Sequence, residues 1–245
     1  MSGQTMGNDG ANMNMGSSEE NFPVRKGGWY QRFEDGAEEG AGARDRSELA
    51  AQVFANLRVG ESVLDVGCAE GYFCFDAMRR GAGHVVGLDK KSSRIEAAVY
   101  MQKFKTQDVD FINQNFMEID PANLGSFDYV ICLNVIHHIG DTVAMVGKLM
   151  SVAKRYLVLE IPDLTELAAR TTLGRWGRIF SLLPIRYQPP VMVLGQNKSI
   201  YIAPKAMESM LKLRHGPRIK NIKITPTYHS RKMSRYLLVA SLKEK

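Results

Sequence analysis

The chain is predicted to fold as a doubly wound α/β domain: a seven-stranded, mostly parallel sheet that ends in an antiparallel C-terminal hairpin strand. Three observations predict it. Short apolar runs of strand length appear at Ser62–Val66 and His84–Asp89, and again at 109–113, 127–134 and 155–161. Helical patterns fall between them at 72–80, 92–104 and 141–152. Continuous apolar strands separated by helices imply a parallel sheet covered on both faces. The end differs, because "IKNIKI" and "RYLLVASL" are strand-like runs with no helix between them.

Taken in order, residues 1–21 mix Gly, Asn, Ser and Met without an apolar core segment. They read as a disordered tail, and as neither signal nor transit sequence. Residues 22–45 are polar and Gly-rich apart from Trp29, Tyr30 and Phe33, a lead-in to the domain at 46–245. Leu49, Val53, Phe54 and Leu57 recur at helical spacing, which predicts a helix over 46–58. A less regular helical stretch follows Pro121.

Between the fifth strand and the hairpin lie 57 residues, 162–218, longer than a plain crossover and expected to form a basic helical cap over the acceptor. Within it, Leu173, Trp176, Ile179, Phe180 and Leu183 share one arc at 100° per residue, with Arg170, Arg175 and Arg178 opposite. The pattern fits a lid packed on its own domain. A membrane-surface helix across 170–186, or a contact for a polyanion, are the alternatives.

With 245 residues and 44% hydrophobic content, the chain can bury a sizeable core. No apolar run approaches the roughly 20 residues that span a bilayer. Cys68, Cys74 and Cys132 lack zinc-type spacing, so no metal site is expected, and they read as reduced thiols of a cytoplasmic protein. Charge divides sharply. Residues 1–163 hold 16 Lys+Arg against 23 Asp+Glu, whereas 164–245 hold 16 against 3. A basic C-terminal part would concentrate anionic acceptors, whether small molecules or RNA.

The stretch "VLDVGCAEGYFCFDAMRRG" carries the chemistry. In a doubly wound sheet the ligand lies beside the first strand-to-helix turn. The dinucleotide fingerprint G-x-G-x-x-G fails here: the spacing gives Gly67, Ala69 and then Tyr72, which would obstruct close helix–strand packing. Asp65 and Glu70 flank the loop and would repel a pyrophosphate. They suit a ligand carrying an ammonium and a sulfonium, such as S-adenosylmethionine; a plain tight turn is the alternative. "VVGLDKK" ends the second strand in Asp89, 18 residues after Gly71, near the offset at which an acid meets ribose hydroxyls. Helix capping is the other reading of Asp89.

These residues resemble the class I S-adenosylmethionine-dependent methyltransferases. "LDVGCAEG" resembles the family motif in which an acid ends strand one before a glycine-rich turn. The resemblance implies a Rossmann-like fold and a cofactor site at Asp65, Gly67, Cys68, Ala69, Gly71, Asp89 and Lys90. It also implies that Asn115 and Phe116 of "NQNFMEID" meet the adenine, and that Leu133 and Asn134 of "FDYVICLNVIHHI" face the methionine portion. From about Trp29 to Asp163 the order of motifs is similar to the group around the tRNA wobble-uridine 5-oxyacetic acid methyltransferases and their small-molecule relatives. That tRNA enzyme uses a carboxylated cofactor, and it has a tyrosine where this chain has His137.

Methyl transfer from a sulfonium mainly requires alignment of nucleophile, carbon and sulfur. A hydroxyl acceptor benefits from a general base. His137 and His138 lie just past strand four, at the ligand edge, and histidine titrates in the useful range; packing or backbone hydrogen bonding is the alternative role. The reading is a methyltransferase acting on a polar, anionic small molecule. The competing readings are an RNA (tRNA) base-modifying enzyme and a non-catalytic S-adenosylmethionine-binding module.

Overall fold

The computed structural model describes residues 46–106, 108–165, 167–183, 187–195, 198–229 and 234–243. The expected tail and lead-in, with Trp29, Tyr30 and Phe33, lie outside them.

In chain order, α1 (Ser47–Val53) leads into β1 (Ser62–Val66), α2 (Tyr72–Arg79) and β2 (His84–Asp89). Then come α3 (Ser92–Gln102), β3 (Asp110–Asn113), the short α4 (Pro121–Leu124) and β4 (Phe127–Leu133). The helix α5 (Thr142–Val152) runs directly into β5 (Ala153–Pro162). The cap region holds α6 (Leu167–Leu173), α7 (Arg175–Leu182), β6 (Met192–Leu194), β7 (Ile200–Ile202) and α8 (Pro204–His215). Last come β8 (Ile219–His229) and β9 (Ser234–Leu242).

The main sheet has seven strands in the order β3-β2-β1-β4-β5-β9-β8. Pairing is parallel from β3 through β5, and β9 is antiparallel to both neighbours. This is the arrangement expected from the alternating pattern and the closing hairpin. Alternate residues of each strand serve opposite faces. Leu64, Val86, Val130 and Leu157 pack with Met145, Leu149, Met207 and Leu211 from α5 and α8. Val63, Val85, Tyr129 and Val158 pack with Ala50, Phe73, Ala77 and Ile95 from α1, α2 and α3. Both faces are therefore dry, which explains the unbroken apolar strands.

Local chemistry starts the helices. Asp141 caps α5 by accepting the Ala144 amide at 2.8 Å, and Asp120 caps α4 through Ala122 at 2.9 Å. The expected helix over 46–58 is shorter, because α1 ends at Val53 and Phe54 begins a turn.

The cap departs most from expectation. The anticipated continuous helix is split at Gly174, whose φ of +56° ends α6. A Cβ at Gly177 would lie 2.5 Å from the Arg170 carbonyl oxygen, so the corner between α6 and α7 closes on glycine. Trp176 and Ile179 remain 63% and 48% exposed, so this arc is not the buried underside of a lid. The side chains of Arg178 and Phe180 lie outside the described residues. Residues Leu164, Ala169, Val193, Tyr201 and Ala203 form a separate small core under the β6–β7 ribbon.

Candidate cofactor and acceptor site

Strand β1 is flanked by β2 on one side and β4 on the other, so the chain winds away from it in both directions. The crevice at the carboxyl ends of such strands is where ligands of doubly wound sheets bind. Here that crevice is a cavity of about 380 Å³.

The loop after β1 shapes its floor. The Gly67 amide donates to the Leu88 carbonyl at 2.6 Å, pinning the loop to the end of β2. Gly67 has φ +84°, and a Cβ there would lie 2.3 Å from Val135 Cγ2. Only glycine meets both conditions. Ala69 holds φ +52°, a left-handed conformation uncommon for a residue with a Cβ. Its amide donates to Asp89 Oδ2 at 3.2 Å, so the second strand's acid holds the first strand's loop.

Asp89 is buried and carries two further donors. The Lys91 amide donates to Oδ1 at 2.9 Å and Arg94 Nη1 to Oδ2 at 3.2 Å. The N-cap of α3 is Lys91, which has no side-chain cap, so Asp89 is not the capping residue. Asp65 lies beneath the same loop and accepts from Cys74 Sγ at 3.6 Å. Burial pushes its pKa up to about 7, offset in part by the Cys74 hydrogen bond and reinforced by the charge of Asp89.

The expected site residues divide by position. Asp65, Gly67, Ala69, Asp89 and Lys90 line the cavity from the β1–β2 side. Asn115, Phe116, Leu133, Asn134 and His138 line it from the β3–β4 side. Cys68, Gly71 and His137 are not among its lining residues. Cys68 is buried with its thiol turned toward the Ala69 carbonyl at 3.7 Å, and Gly71 instead forms the left-handed N-cap of α2. Glu70, expected to flank the ligand, is also buried away from it.

Asn115 has a local task. Its Oδ1 accepts the Met117 amide at 3.2 Å and its Nδ2 donates to Glu118 Oε1 at 2.8 Å, capping a single 3-10 turn. That turn places Phe116 on the cavity wall, with Lys148 Nζ 5.3 Å from its ring centre. Asn134 holds φ +59°, and its amide donates to the Glu160 carbonyl at 3.0 Å.

The two histidines separate. His138 faces the cavity and its Nδ1 lies 3.3 Å from Ser199 Oγ. His137 sits behind it, its ring 3.9 Å from that of His138. Burial lowers the pKa of His137 to about 3, with help from His138 and Arg235. Burial also lowers that of His138, followed by Lys90 and Lys91. Both rings are neutral at pH 7.

Residues 57–175 match the family model described as a methyltransferase domain. Over these residues, just under half of its length, the chain is similar to methyltransferase domains. A ubiquinone biosynthesis O-methyltransferase of Hahella chejuensis is 34% identical over 95 residues, covering 39% of this chain and 40% of that protein. The chain spans less than half the length of such curated relatives. The chain also has the fold of known structures. Magnesium protoporphyrin IX methyltransferase from Synechocystis, with bound S-adenosylhomocysteine, aligns with TM-score 0.58 and 22% identity over 80% of each chain. The N-terminal domain of EvdMO1, with S-adenosylhomocysteine and D-fucose, aligns with TM-score 0.65 and 15% identity, covering 89% of this chain and 92% of that one.

The cavity fits S-adenosylmethionine chemically. A buried carboxylate held by backbone amides at Asp89 can accept from two ribose hydroxyls, and among the described residues the second buried acid, Asp65, has no cationic side chain bonded to it. Phe116 offers an apolar edge for a base.

Three lining residues had no clear sequence signal: Arg46, Arg94 and Glu160. Of the basic C-terminal part, expected to surround the acceptor, Arg235 stands 3.7 Å from the cavity-lining Glu160, whereas several other described residues lie elsewhere. Arg218 donates to the carbonyls of Met150 and Ala153 at the start of β5, and the Lys243 amide donates to the Arg218 carbonyl. That is the edge opposite the cavity. Strand β8 starts there, so Arg214, Lys220 and Lys243 fall far from the cavity.

Proposed function

We propose that the whole chain is an S-adenosylmethionine-dependent methyltransferase acting on a polar, anionic small molecule. The carrying observation is the paired placement of Asp65 and Asp89 at the ends of adjacent strands, both buried and both lining the cavity. The cofactor supplies a methyl group already activated on a sulfonium. The chain's own residues bind and orient. Asp89 receives the ribose hydroxyls, and Asp65 offers its charge to the cationic methionine end beside Leu133 and Asn134. Phe116 packs against the adenine.

Lys90, Lys91, Arg94 and Arg46 rim the cavity, and they support an anionic acceptor. An RNA acceptor is less well supported, because Arg218 and Lys243 sit at the opposite edge of the sheet. His138, neutral and facing the cavity, is the histidine placed to touch the acceptor.

Incubation with methyl-labelled S-adenosylmethionine and either total RNA or a small-molecule extract tests the reading. Label is expected in the small-molecule pool. Label confined to RNA contradicts the acceptor class, and label in neither pool contradicts turnover.

A further inference from the structure

Next to Asn134 and His138 the cavity wall is completed by Glu160 and Arg46. Glu160 is in register with Leu133 across the β4–β5 pair, so its carboxylate stands one strand beyond the methionine end of the site. Its side chain is 2% exposed. Oε1 accepts from Thr227 Oγ1 at 3.3 Å, whereas Oε2 accepts no hydrogen bond among the described residues. Among the described residues, the cations within 4 Å of Oε2 are Arg235 Nη1 at 3.7 Å and Arg46 Nη1 at 3.9 Å. Both distances exceed those of a hydrogen bond. A buried carboxylate oxygen without a donor is costly in a finished site, and a ligand that brings the donor removes the cost.

We propose that Glu160 Oε2 receives the hydrogen bond of the acceptor's hydroxyl group, so that the anionic acceptor is an alcohol or phenol. This rests on the transferase reading and narrows it. A carboxylate as the methylated group would set two anions face to face. A protonated amine would enter beside two guanidiniums that lie within 4 Å of the same oxygen. A hydroxyl supplies the missing donor with no added charge. An ion triad that only ties α1 to the sheet is the competing account of the same residues.

The test uses the full chain, methyl-labelled S-adenosylmethionine and a small-molecule extract of its source cells. The labelled product is treated with mild alkali and passed over a cation exchanger. A methyl ether keeps its label through alkali and is not retained. Labelled methanol released by alkali marks a methyl ester, and retained label marks a methylated amine; either overturns the proposal. Glu160→Gln should raise the half-saturating extract concentration or lower turnover at least about tenfold, with S-adenosylhomocysteine affinity unchanged by calorimetry and partial rescue by Glu160→Asp. Unchanged transfer by E160Q also overturns it. If E160Q does not fold, the fate of the wild-type label decides alone. Absence of any labelled product from a wild type that binds S-adenosylhomocysteine contradicts the transferase reading itself, and this inference falls with it.

Discussion

The Ala69 amide donates to Asp89 Oδ2 at 3.2 Å across 20 residues of sequence. One carboxylate thus fixes the loop after β1 while lining the wall of the cavity from β2. Removing it should affect the loop and the ligand together. Asp89→Asn keeps the shape and loses the charge; S-adenosylhomocysteine affinity is expected to fall about tenfold or more, measured by calorimetry. Asp89→Ala should also lower stability by about 1–3 kcal/mol in urea unfolding, because the amides of Ala69 and Lys91 lose their acceptor. Full affinity in both variants sinks the ribose assignment.

Asp65 gives a pH signature. Its folded pKa, about 7, lies above the unfolded value of 3.8, so the folded state holds the proton more tightly. Its contribution to stability is therefore fully present below pH 3.8 and is lost as pH rises through about 7. Asp65→Asn should raise the melting temperature at pH 8, by less at pH 5, and leave it nearly unchanged only at or below pH 3.8. A cation in the cavity favours the ionised form, so wild-type affinity for S-adenosylmethionine should rise from pH 6 to pH 8. A flat affinity profile in the wild type would falsify the electrostatic role.

Gly67 is held by sterics on two counts. Gly67→Ala should destabilise the protein by about 1–3 kcal/mol, from the clash with Val135 and the positive φ. Adding Val135→Ala removes the Cγ2 contact but not the backbone cost, so the double variant should recover only part of the loss. Additive destabilisation would mean that Val135 is not the obstruction.

The histidines should differ in kind. His138→Ala should lower turnover and change its pH profile, because the ring faces the cavity and meets Ser199. His137→Ala should chiefly lower stability, since its ring is buried and does not line the cavity. Reversed effects would place the acceptor on the other side of this pair.

The sheet was legible because buried parallel strands need long apolar runs, and β1, β2 and β4 have them. Asp65 and Asp89 were legible because strand ends and spacing locate them. The cap was not. Helix α8 carried a usable signal, Pro204 at its first turn with Met207 and Leu211 on one face, yet the basic residues around it masked the pattern. Gly174 and Gly177 break the predicted arc through backbone geometry that periodicity does not encode. Arg46, Glu160 and Arg235 stand 75 or more residues apart in neighbouring pairs, and only the fold brings them within 4 Å. The position of the basic run depended on where β8 begins, which charge counting cannot tell.

Calorimetry of the full chain against S-adenosylhomocysteine, with NAD as the control, tests the central claim most directly. Saturable one-to-one binding of S-adenosylhomocysteine, weakened in Asp89→Asn and with no heat from NAD, is the predicted result. Tight NAD binding with no response to S-adenosylhomocysteine or S-adenosylmethionine would contradict it.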